Sequence, residues 1–164
     1  MADYDDGRWP AEVVEPCQAL VEVDYVKPGV SSKKGTKQLG FKLKIIKSDQ
    51  EDNNGMITPF INVFFSEKLK GKNNSLARAC GLELPPASAY EQSPPESFTP
   101  DTDREFFDWG ESFKGKQFLA VLGVEEQEGY NKKNTLNGTK GTDTGQYKKF
   151  MAKMEPDGGD SGSF

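Results

Sequence analysis

Apolar and polar residues alternate with period two in three stretches of this chain, and such alternation predicts half-buried β-strands. In residues 17–26, Cys17, Ala19, Val21, Val23 and Tyr25 share one face, with Gln18, Glu22 and Asp24 on the other. Residues 38–47 place Leu39, Phe41, Leu43 and Ile45 inside and Lys42 and Lys44 outside. Residues 117–126 align Phe118, Ala120, Leu122 and Val124. A fourth stretch, 56–65, is apolar on both faces: Ile57, Ile61, Val63 and Phe65 on one, Met56, Phe60 and Phe64 on the other. A short fifth strand is expected around 134–136.

Turn chemistry separates these strands. Lys27-Pro28-Gly29 ends the first, since proline cannot donate to a ladder. The polar run 49–55 joins the second to the third as a hairpin. Residues 68–74 read as a basic loop, after which Ser75 caps a short helix over 76–80 that Gly81 stops. Residues 85–100, rich in proline and serine, show no packing period and open an acidic insertion spanning 85–113. Within it, 101–109 suits a short helix that docks Phe106, Phe107 and Trp109 on the barrel. Residues 1–12 form a loose acidic arm and 151–164 a disordered acidic tail. The predicted fold is mainly β: a five-stranded, OB-like, partly open Greek-key barrel over 13–150 with one short helix and disordered ends.

Composition agrees with a modest core in a single domain. Hydrophobic residues make up 34% of 164, and ten prolines and seventeen glycines favour short strands and turns over a bundle. No apolar run is long enough to cross a membrane and no basic-then-apolar leader opens the chain, so neither membrane nor secretion is expected. Cys17 and Cys80 make no disulfide framework and no zinc spacing, which points to a reducing, cytoplasmic setting.

The chain contains no histidine. That removes the usual general base and the commonest zinc ligand, and argues for a protein that is not an enzyme. Asp101, Asp103, Asp108 and Glu111 lack the calcium-loop spacing and read as a solvated acidic face. Gly138–Gly141 lacks the spacing of a phosphate-cradling loop. No metal and no cofactor are expected.

The net charge of −5 conceals segregation. Residues 27–78 carry eleven Lys/Arg against four acids and 114–153 carry eight against four, whereas 79–113 carry one against eight. The basic blocks coincide with the strands. Lysines and aromatics there suit single-stranded nucleic acid, with lysines on phosphates and rings on base faces. The candidates are Lys33, Lys34, Lys37, Lys42, Lys44, Lys68, Lys70, Lys72, Lys132 and Lys133 for phosphates, and Phe60, Phe64 and Tyr130 for stacking. The alternative for the same residues is a half-buried sheet with a solvated lysine face, its third strand covered on both sides.

The order of these parts resembles small OB-fold single-stranded DNA-binding proteins of phage replication and recombination. The resemblance is carried by the Ser32-Lys33-Lys34-Gly35 loop, the Gly40-Phe41-Lys42-Leu43 strand, and Gly115-Lys116-Gln117-Phe118 leading to Tyr130-Asn131. The acidic end closing on Phe164 is similar to the tails of bacterial and phage members. The resemblance implies coating and protection of single strands in DNA replication, recombination and repair, in the cytoplasm of a virus-infected host. It also implies recruitment of replication or recombination proteins through Asp157, Asp160 and Phe164, and it is compatible with a homodimer. A different reading is a protein-interaction module that mimics DNA with its acidic blocks to grip a host enzyme. A carboxylate–magnesium nuclease is disfavoured, because the acids lie in turns, insertion and tails.

Overall fold

A computed structural model describes residues 13–126, 128–129 and 132–154. Five strands form one antiparallel sheet: β1 (Cys17–Val30), β2 (Lys37–Ser48), β3 (Ile61–Phe64), β4 (Gln117–Glu125) and β5 (Lys133–Lys140). Their spatial order is β3-β2-β1-β4-β5, so β1 is central and β3 and β5 are the two edges. The sheet is mainly β-class and not closed, consistent with the open OB-like arrangement expected from the pattern.

Three α-helices accompany it among the described residues: α1 (Lys70–Ala79) and α2 (Arg104–Glu111) overlap the helices expected over 76–80 and 101–109, whereas α3 (Gly145–Met154) is an addition to the pattern. None is long and apolar enough to cross a membrane.

The inward residues of β1, β2 and β4 build the core, with Leu39, Phe41, Leu43, Ile45, Phe118 and Leu122 almost wholly buried. The insertion closes one end of it. Phe106 and Trp109 of α2 pack edge-on against Phe65 at centroid distances of 5.4 and 5.5 Å, and Phe113 packs against Phe41 at 5.2 Å. Gly110 permits this approach, because a Cβ there would stand 2.8 Å from the side chain of Leu39. On the opposite face of the sheet, Phe150 of α3 covers Leu20 and Leu119.

Several boundaries differ from the pattern, each for a physical reason. β1 runs through Pro28 to Val30, pairing with β2 as far as Val30↔Lys37. Its β4 partner stops at Glu22, so past that point β1 is an edge where a missing N–H is tolerated. The third strand is confined to Ile61–Phe64, with only an isolated Lys44↔Ile57 bridge before Pro59 interrupts it. The basic run 68–74 is not a loop: a 3-10 turn, Glu67–Leu69, leads into α1. The last strand is longer than expected, and 145–154, part of which read as tail, forms α3. Here Thr144 caps the helix, its Oγ1 accepting from Tyr147 N at 3.2 Å. Arm residues 1–12 and tail residues 155–164 lie outside the described residues.

Candidate nucleic-acid interface

The outer face of β1, β2 and β3 carries an aromatic platform. In β1 the pairing slips between Val23↔Leu43 and Tyr25↔Lys42, leaving Asp24 as the extra residue of a bulge. The slip inverts the strand's alternation, so Val26 turns into the core at 4% exposure and Tyr25 turns out at 43%. Tyr25 was expected inside, and the bulge overturns that.

The ring of Phe60 lies 5.9 Å from that of Tyr25, inclined by 56°. It reaches this position over Gly40, where a Cβ would stand 3.1 Å from Phe60 Cδ1 and 3.0 Å from Asn62 Oδ1. Lys42 Nζ sits 5.0 Å from the Phe60 centroid and Lys114 Nζ 5.9 Å from that of Tyr25. Each ammonium sits within cation–π reach of its ring. Phe64, 39% exposed, follows at the position paired with Gln38. Lys44 extends the face beyond Lys42, and Lys27 pairs with Gly40, both exposed. At the other end, past Gln38 and Phe64, the β1–β2 loop presents exposed Lys33 and Lys34.

The platform adjoins a cleft of about 660 Å³ between the two sheet edges. Consecutive residues of β3 and of β5 line it, so both strand edges border the gap where the sheet fails to close. Residues of α1 form its third side. Lys72, Lys133 and Lys140 bring cations to the cleft, against Glu125, whose carboxylate is 3.5 Å from Lys133 Nζ. Phe60 and Phe64 belong to platform and cleft alike, which makes the two one continuous surface.

The structure brings together Lys42, Lys44, Phe60, Phe64, Lys72 and Lys133, with Lys132 exposed immediately before β5. Lys68 is exposed in the 3-10 turn before α1. Lys70 has other partners: Glu67 at 3.5 Å, and the ring of Tyr90 beneath its Nζ at 4.8 Å. Lys37 is a correction. It is 2% exposed, its Nζ is 3.1 Å from Asp103 Oδ1, and it donates to the carbonyl of Ser88 at 2.7 Å. A lysine so enclosed cannot hold a phosphate. Tyr130, Asp157, Asp160 and Phe164 lie outside the described residues.

Tyr25, Lys27, Lys114 and Lys140 join the surface without having been singled out. A sequence signal existed for the lysines, which all fall within the basic blocks 27–78 and 114–153. For Tyr25 there was none, since a bulge leaves no mark on the alternation until its pairing is known. The acidic insertion is partly neutralised: Asp103 by Lys37 of β2, and Asp101 by Arg104 within the insertion at 3.0 Å.

Compared with known proteins, the chain matches no protein-family model and no curated sequence.

Proposed function

We propose that this protein binds single-stranded DNA, with little sequence preference, along the platform and the adjoining cleft. One observation carries the reading: Phe60 laid across Gly40 between Tyr25 and Lys42, a ring pair flanked by ammonium groups. Flat aromatic faces attract any base through stacking, but only a base that is not already stacked in a duplex. The lysines along the platform and cleft would track the backbone of the same strand. No bond is made or broken. The protein would coat transient single strands during replication, recombination or repair in the cytoplasm of a host cell. Its acidic end, with Asp157, Asp160 and Phe164, would recruit partner proteins.

Fluorescence anisotropy of labelled oligo-dT tests this. Wild-type protein should bind, and affinity should fall with salt at a log–log slope of about 0.7 per phosphate contact. Tyr25→Ala and Phe60→Ala should each cost about 1–3 kcal/mol of binding while leaving the salt slope unchanged. Failure of wild-type protein to bind at low salt would sink this reading and favour the DNA-mimicking interaction module.

A further inference from the structure

The insertion holds the lysine-bearing loop from behind. Within the β1–β2 loop, Ser31 N donates to Thr36 O at 2.8 Å and Gly35 N to Ser31 O at 3.0 Å. Ser31 Oγ accepts from the amides of Lys34 and Thr36. The loop is thereby closed on itself, with Lys33 and Lys34 exposed at its tip and Gly35 buried. Gly35 has φ +68°, and a Cβ on it would stand 2.4 Å from the carbonyl oxygen of Ser93. Ser93 N donates to Gly35 O at 2.9 Å, while its Oγ donates to Asp103 at 3.2 Å. Asp103 in turn holds Lys37, the first residue of β2 after the loop.

We infer that Ser93, Asp103 and Lys37 form a clamp that presents Lys33 and Lys34 to the bound strand, making the acidic insertion a positioning element of the site. The inference rests on the single-strand reading above. A free loop would have to order its lysines on binding, whereas a clamped one has lost that freedom already. Lysine-tip and clamp are covalent neighbours, so displacing Gly35 displaces Lys34 directly. The one acid of the clamp reaches no phosphate: Asp103 is nearly enclosed and committed to Lys37.

The test uses full-length protein with Gly35→Ala, which pushes the loop off Ser93 without changing charge. Asp103→Asn is a second route to the same release. Each is made alone and together with Lys33→Ala/Lys34→Ala. Oligo-dT anisotropy is read over a salt series, and amide hydrogen exchange is read on the same proteins. In the wild-type background the double lysine substitution should lower affinity about tenfold and reduce the salt slope by about 1.4. In the Gly35→Ala background it should cost less than about twofold, and amides of residues 31–36 should exchange at least about tenfold faster while those of β4 keep their rates. An equal cost in both backgrounds, or an unchanged loop exchange rate, overturns the clamp alone. Absence of oligo-dT binding by wild-type protein overturns the single-strand reading and the positioning role with it.

Discussion

At the scale of residues, two lysines of β2 show how position decides chemistry. Lys42 lies on the outward register with Lys44 and borders a ring, while Lys37 lies on the inward register with Leu39 and Phe41 and becomes half of an enclosed ion pair. The period of two already distinguishes them, because the odd-numbered residues from Lys37 to Ile45 face the core. A strand beginning at Gln38 leaves Lys37 in the loop and without a face, whereas the ladder starts at Lys37. The two thiols are governed by burial in the same way. Burial pushes Cys80 up to about 12 against a lesser opposing pull from Lys116, and it raises Cys17 against a hydrogen bond from Asn53. Both should therefore react with iodoacetamide at pH 8 at least about tenfold more slowly than an unfolded thiol. Mass-spectrometric labelling with and without urea measures this, and rapid labelling of native Cys80 would contradict it.

At the scale of elements, β3 and α1 depart most from local preference. Pro59 breaks the third strand, yet Phe60, just after the break, keeps the outward side it shares with Phe64 and lies over Gly40. In α1, Gly71, Asn73 and Asn74 are weak helix formers, so the stretch reads as loop. Tertiary bonds override that preference. Asn73 is 2% exposed, its Nδ2 donates to Phe64 O at 3.2 Å, and its Oδ1 accepts from Tyr90 OH at 3.2 Å. It ties the helix to β3 on one side and to the insertion on the other. Asn73→Leu should leave Phe64 O and Tyr90 OH without this partner and destabilise the protein by about 1–3 kcal/mol. Urea unfolding should show the loss as a shifted midpoint at constant m-value.

At the scale of the whole molecule, the insertion braces the barrel end, and the Lys37–Asp103 pair is its polar anchor. Burial alone would raise the Asp103 carboxyl. Hydrogen bonds from Lys37, Thr102 and Ser93, with the Lys37 charge, outweigh it and hold the carboxyl below the usual range. A carboxyl lowered on folding stabilises the protein above its unfolded value of about 3.9, and that contribution disappears as pH falls through the lowered folded value. Wild-type stability measured by urea unfolding should therefore drop more steeply than that of Asp103→Asn between about pH 4.5 and pH 2.5. Parallel acid profiles would remove Asp103 from this role. The presence of five strands, the inward and outward faces over residues 17–23, 38–45 and 117–122, and the two basic blocks are legible in the sequence alone, because period-two burial and charge are local properties. The outward turn of Tyr25, the enclosure of Lys37, the helical state of residues 70–75 and the bracing of the β1–β2 loop by the insertion follow only from long-range packing. Each depends on a bulge, an ion pair or a hydrogen bond to residues distant in the chain, and such pairings leave no period to read.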